Sequence, residues 1–136
     1  MADGKLGFEL VSPERLLFSA EVEMVVVPGE EGDFGVLPRH AAMLSTLRPG
    51  VISIYETERH SRSEQIFVAG GFAEVTPERC TVLAEDAAPL SALDRAEVQQ
   101  ELQNAREDLE DAKDEAERKA ATSKLAVVEA KLKALG

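Results

Sequence analysis

The segment "GEEGDFGVLPRH", residues 29–40, carries the residue types most able to do chemistry. Its glycines recur every third residue, as in loops that cradle phosphate, and they are Gly29, Gly32 and Gly35. A phosphate loop places backbone N–H groups at a helix start and adds a lysine. Here carboxylates fill the gaps, at Glu30, Glu31 and Asp33, and no lysine follows. The segment therefore indicates an acidic turn that docks a polar or basic partner, not a nucleotide site.

The two histidines do not form a catalytic or metal site with their sequence neighbours. A small hydrolase using His40 with Asp33 or Glu31 is one hypothesis, but the sequence supplies no positioned nucleophile. A metal needs three or four ligands, and neither histidine lies in such a cluster. We interpret His40 as a turn or cap residue and His60 as an exposed hairpin tip. Cys80, within a strand-like run, is interpreted as a small core thiol.

The composition narrows the classes of partner. The chain of 136 residues has 15 basic and 26 acidic side chains, a formal net charge of −11 at pH 7. This charge repels a phosphate backbone and an anionic lipid surface, so we expect no nucleic acid and no direct membrane adhesion. Neither a signal peptide nor an apolar run of about 20 residues is recognisable. A single cysteine favours a reducing compartment, and we expect no cofactor.

Residues 1–87 predict an antiparallel β-sandwich. Short apolar or alternating runs, such as "EVEMVVVPG" and "CTVLAED", are rich in Val, Ile and Thr. Breaks at Pro or Gly recur about every 8 to 12 residues, which is typical of a sandwich or barrel. The pair Gly70 and Gly71 is interpreted as a tight turn or bulge.

Residues 88–136 predict an antiparallel hairpin of two helices. Strong helix formers fill this tail, and we expect Ser91 to cap the first helix with Asp94 completing a capping box. One apolar seam comprises Val98, Leu102, Ala105, Leu109, Ala112 and Ala116. A second comprises Ala121, Leu125, Val128, Leu132 and Leu135. Because the seams are out of phase, the pattern favours a turn within residues 113–123 over one rod of about 65 Å.

Taken as whole strings, "VVVPGEEGDFGVLPRHAAMLSTLRPGVISI" and "VAGGFAEVTPERCTVLAEDA" resemble the epsilon subunit of the bacterial rotary ATP synthase. The shared features are a Pro-Gly, a glycine-spaced acidic loop, a Leu-Pro-x-His step, a Leu-x-Pro-Gly turn and a Gly-Gly hairpin. The likeness extends over the whole sequence in the same order, ending in the helical tail.

The resemblance implies a non-catalytic rotor subunit of the central stalk. The sandwich would pack on the gamma subunit and rest on the polar loops of the c-ring. The c-ring contacts it implies are Glu31, Gly32, Asp33 and His40. Membrane association would be indirect, through the c-ring, at the cytoplasmic face of the inner membrane. The alternative that the residues leave open is a free-standing adaptor of the same architecture.

The resemblance also implies a regulatory tail that switches between a folded hairpin and an extended form that blocks ATP hydrolysis. The extended tail would contact the alpha and beta subunits. The residues it assigns to the tail are Arg95, Ala96, Val98, Leu102, Leu109, Leu125, Val128 and Leu132. A tail that packs on the sandwich and never opens remains an equal alternative. Some relatives bind ATP through a Leu/Ile-Asp-x-x-Arg-Ala motif, whose aspartate position falls on Ala92 here, so we expect weak or absent ATP binding.

Overall fold

The computed structural model describes residues 4–136. The strands are β1 (Leu6–Val11), β2 (Leu16–Val22), β3 (Met24–Gly29), β4 (Gly32–Val36), β5 (Met43–Leu47), β6 (Gly50–Tyr55), β7 (Glu64–Val68), β8 (Gly71–Val75), β9 (Arg79–Ala84) and β10 (Ala87–Pro89). A 3₁₀ turn at Leu90–Ala92 leads into two helices, α1 (Arg95–Glu110) and α2 (Glu115–Leu135). The predicted fold class, a sandwich followed by a helical hairpin, is confirmed.

The strands form two layers that meet at one edge. One layer runs β10-β7-β6-β3 with β4 on the outer edge of β3, and the other runs β5-β8-β9-β1-β2. The layers join where Gly29 of β3 pairs with Leu47 of β5. Every pairing among the described strands is antiparallel except β1 with β9. The predicted boundary between residues 87 and 88 falls inside β10, which pairs with β7 and so belongs to the sheet.

The core lies between the layers because alternate residues of each strand point inward. Leu6, Phe8 and Leu10 on β1 are fully buried, as are Ile52 and Ile54 on β6. No charged or polar side chain among residues 4–136 is buried. The core is therefore apolar throughout, and chemistry has to reside on the surface of the sandwich.

The pair Gly70 and Gly71 carries the chain from one layer to the other. β7 pairs with β6 and β10, whereas β8 pairs with β5 and β9, so the expected Gly-Gly hairpin is wrong. Both glycines have φ above +130°. A Cβ on Gly71 would lie 2.0 Å from the carbonyl oxygen of Leu83. The crossing thus requires glycine for its backbone conformation and for its close packing.

The two helices form the predicted antiparallel hairpin, with three local corrections, to the position of the turn, the cap of α1 and the end of the first seam. The turn spans residues 111–114, where the Asp114 carboxylate accepts from the backbone N–H of Glu117 at 2.8 Å and starts α2. Asp94, not Ser91, caps α1, because Ser91 lies in the preceding 3₁₀ turn. Ala116 is exposed in the first turn of α2, so the first seam ends before it.

The hairpin covers the outer face of the layer that contains β6 and β7. Phe67 is only 2% exposed, yet it lies outside the core cluster to which its neighbours Ile66 and Val68 belong. The ammonium of Lys131 on α2 lies 6.0 Å from the centroid of the Phe67 ring and 3.2 Å from a carboxylate oxygen of Glu101 on α1. One lysine therefore links both helices to the sandwich.

Candidate functional site

The acidic segment is the tip of a tight hairpin between β3 and β4. Gly29 pairs with Gly32, which leaves Glu30 and Glu31 as an exposed two-residue loop. Gly32 has φ +145°, a conformation that favours glycine. Gly29 is needed for space, since a Cβ there would approach the ring of Phe34 to 2.9 Å. Among Gly29, Gly32 and Gly35, only Gly32 has a positive φ.

Asp33 is already paired within the protein. Arg48, directly after β5, donates one guanidinium N–H to the Asp33 carboxylate and another to the carbonyl oxygen of Gly29 at 2.6 Å. The sequence pattern does not single out Arg48, which occupies the variable position of the Leu-x-Pro-Gly turn. Arg48 lies 15 positions after Asp33 in the sequence, and only the order of the strands brings the two side chains together.

His40 shares an open depression of about 740 Å³ with the acidic hairpin. The depression is lined by Glu31, Gly32, Asp33 and His40 among others. The c-ring contacts implied by the resemblance therefore lie together on one surface. The His40 ring nitrogen Nδ1 lies 2.7 Å from the carbonyl oxygen of its neighbour Ala41, and no described hydrogen bond joins it to a carboxylate. The hydrolase hypothesis thus lacks both a nucleophile and a carboxylate that orients the histidine.

A second surface of opposite character lies on β5 and β8. Leu44 is 71% exposed and Phe72 is 47% exposed, on strands that pair directly. Together with Leu83, Pro13 and Val127 they line an open depression of about 770 Å³, which we name the apolar groove. Exposed large apolar side chains grouped in this way mark a surface for protein contact.

The predicted tail residues divide into buried and exposed sets. Val98 and Val128 are 2% exposed, and four leucines are partly buried, namely Leu102, Leu109, Leu125 and Leu132. Arg95 and Ala96 are exposed at the start of α1. The Arg95 guanidinium donates to the carbonyl oxygens of Leu135 at 3.0 Å and Gly136 at 2.6 Å. Arg95 therefore ties the start of α1 to the end of α2.

The described residues do not assemble a catalytic or metal site. Burial raises the pKa of the Cys80 thiol to about 12, so it stays protonated and unreactive at neutral pH. Within residues 4–136, no group of three or more His, Cys, Asp or Glu side chains could hold a metal ion. No helix of this part is long and apolar enough to cross a bilayer.

Two family models together match almost the whole chain. The β-sandwich domain of the ATP synthase delta/epsilon chain matches residues 5–90, and the C-terminal domain of the ATP synthase epsilon chain matches residues 94–136. The chain belongs to the ATP synthase epsilon-chain family. An epsilon chain is a non-catalytic component of the ATP synthase central stalk.

Individual relatives agree with the family assignment. The epsilon chain of Rhodospirillum centenum is 56% identical over 97% of this chain and 92% of its own. That of Rhodospirillum rubrum is 58% identical over 93% of both chains. A chain in a structure of the Euglena gracilis mitochondrial ATP synthase, with F1 and c-ring, gives a TM-score of 0.84 at 25% identity, covering 100% of this chain and 84% of that one. A chain in the central stalk and c-ring of Tetrahymena thermophila ATP synthase shares the fold, with a TM-score of 0.70 at 21% identity and full coverage of both.

Proposed function

We propose that this protein couples rotation of the c-ring to the gamma subunit by binding both at once. The observation that carries the proposal is the presence of two exposed surfaces of different chemistry on one sandwich. The acidic hairpin is polar and charged, whereas the apolar groove presents Leu44 and Phe72. A rigid body held at two places transmits torque without slipping between its partners.

The acidic hairpin is the surface for the polar loops of the c-ring. Glu30 and Glu31 project at its exposed tip, and His40 borders the same depression. Charge complementarity favours a polar or basic partner, and it also fixes the register of docking. Membrane association is then indirect and peripheral, at the cytoplasmic face, through the c-ring. This arrangement suits a protein whose net charge of −11 opposes direct contact with anionic lipid.

The apolar groove is the surface for the gamma subunit. Contact of Leu44 and Phe72 with a partner removes apolar area from water, which favours association in proportion to that area. The groove extends from the sheet to α2 through Val127, so gamma would contact both the sandwich and the folded tail.

The helical tail is a regulatory element that opens and blocks ATP hydrolysis, with the alpha and beta subunits as its partners in the open form. The residues of the two helices that are buried, as opposed to partly buried, are small ones, namely Val98, Ala105, Ala121 and Val128. Small side chains bury little area, so a gap of a few kcal/mol separates folded and open forms, which partners can overcome.

A pull-down from detergent-solubilised membranes tests the two surfaces separately. The tagged full-length protein is expected to retain gamma and c-ring subunits. Phe72→Glu is expected to release gamma, because it places a charge in the apolar groove at a residue that does not line the acidic depression. Leu16→Glu is the matched control, since Leu16 is also exposed, at 54%, but lies on β2 outside the groove. Retention of unrelated proteins without gamma or c-ring would support the adaptor alternative instead.

The tail is tested by comparing ATP hydrolysis of the assembled enzyme with and without residues 90–136. A higher rate after truncation supports an inhibitory tail, and an unchanged rate supports a passive one. Because truncation uncovers Phe67, thermal unfolding of the shortened protein has to confirm that the sandwich remains folded.

A further inference from the structure

Arg48 holds the acidic hairpin at three points. Its backbone N–H donates to the carbonyl oxygen of Pro28 at 3.0 Å. Its guanidinium donates to the carbonyl oxygen of Gly29 at 2.6 Å and to the Asp33 carboxylate. These acceptors lie on both strands of the hairpin, just before and just after the Glu30–Glu31 loop. Arg48 therefore fixes the two strand ends relative to β5.

Besides Arg48, the hydrogen bond described between the Glu30–Glu31 loop and β5 runs from the backbone N–H of Glu30 to the carbonyl oxygen of Thr46, at 2.9 Å. Among the described strands, β4 pairs only with β3, so its second edge is open. The loop is flanked by Gly29 and Gly32, and a Cβ at Gly32 would meet nothing within 4 Å. A glycine-flanked edge hairpin loses backbone entropy when a partner orders it. The planar fork of arginine can bond two acceptors at once, which orders the loop before the partner arrives.

Arg48 also determines which charges the loop presents. Three carboxylates lie within four residues, and like charges at this distance repel one another. Arg48 forms an ion pair with Asp33, whereas no ion pair to Glu30 or Glu31 occurs among residues 4–136. The unpaired negative charge therefore lies at the tip, on Glu30 and Glu31.

We propose that Arg48 is a positioning residue for c-ring docking, which orders the acidic hairpin and leaves Glu30 and Glu31 as the charges that meet the partner. This inference rests on the proposed function, and it names the polar loops of the c-ring as the single occupant of the surface, with cationic groups that meet Glu30 and Glu31 by charge complementarity. Asp33 acts through Arg48, whose guanidinium offsets its charge, although the Asp33 side chain remains 58% exposed in the same depression.

The ordering role is tested on the free, full-length protein by amide hydrogen exchange. Arg48→Ala is expected to speed exchange at residues 29–36 about tenfold or more, while β7 and the helices keep their rates. Arg48→Lys keeps the charge but lacks the fork, and we expect it to restore protection only in part. Equal exchange in the wild type and in Arg48→Ala would overturn the inference.

The docking role is tested by measuring affinity for purified detergent-solubilised c-ring and, separately, for purified gamma subunit. Arg48→Ala is expected to weaken c-ring binding about tenfold and to leave gamma binding unchanged. Glu31→Gln is expected to flatten the dependence of c-ring affinity on ionic strength, whereas Asp33→Asn leaves that dependence intact. A flattened dependence for Asp33→Asn alone would contradict the assignment of the free charges.

The proposed coupling function and the positioning role of Arg48 are distinguished by different results. If the wild-type protein binds gamma but no c-ring at all, the proposed function fails. If it binds the c-ring and Arg48→Ala binds equally well, only the positioning role fails.

Discussion

Replacing Val128 by alanine should shift the helical tail towards its open form. Val128 is 2% exposed on α2, which packs against both α1 and β6. The change removes two methyl groups, worth about 1.6 kcal/mol of transfer free energy at about 0.8 each. A small residual cavity brings the cost to about 2 kcal/mol. Because α2 is expected to remain helical in both forms, helix propensity cancels.

A loss of about 2 kcal/mol changes the ratio of folded to open tail about thirtyfold. If the open tail blocks hydrolysis, the assembled enzyme containing Val128→Ala should hydrolyse ATP more slowly than wild type. The assay is ATP turnover of the reconstituted complex at saturating substrate, with hydrogen exchange of α2 measured in parallel. Thr122→Ala is the matched control, because Thr122 is β-branched and exposed on the same helix.

Two results together would refute this reasoning about the tail. They are faster exchange of α2 in Val128→Ala, which shows that the tail has loosened, and an unchanged rate of ATP hydrolysis. The tail would then be passive, as the alternative drawn from the sequence holds.

Three further predictions concern the thiol, the layer crossing and nucleotide binding. Burial raises the pKa of Cys80 from 9.0 to about 12 in the folded protein, so its contribution to the free energy of unfolding should be level below pH 9 and fall as the pH rises towards 12. Denaturant titrations at several pH values measure this fall, and Cys80→Ala should remove the part of it that comes from the thiol. Gly71→Ala should destabilise the fold by about 3 kcal/mol or more, since the added Cβ would collide with the Leu83 carbonyl oxygen. Gly7→Ala should cost much less, because its Cβ would make an ordinary 3.6 Å contact with the Glu78 carbonyl oxygen, and urea unfolding of both variants measures the difference. Calorimetric titration with ATP should show no micromolar binding, because Ala92 replaces the motif aspartate and Arg95 is bonded to the end of α2; micromolar affinity would contradict this.

The sequence predicted the architecture because hydrophobic periodicity is a local property. Alternation in β1 places Leu6, Phe8 and Leu10 in the core, and the two out-of-phase seams favour two helices over one. The exposed tip at His60 and the buried thiol of Cys80 were also predicted correctly, since each depends on its own strand or turn.

What the sequence missed depends on contacts between distant segments. The ion pair of Arg48 with Asp33 arises from the junction of β3 and β5, which periodicity does not reveal. Periodicity also does not reveal that at Gly70 the backbone crosses from one layer to the other instead of forming a hairpin. Ser91 and Asp94 are both good caps, and only the intervening 3₁₀ turn decides between them.

The most direct test of the central claim is ATP-driven proton pumping in membrane vesicles stripped of this protein and then given it back. We predict that stripped vesicles hydrolyse ATP with little pumping, and that the added protein restores pumping. Normal pumping by vesicles that lack it would contradict its role as the coupling subunit.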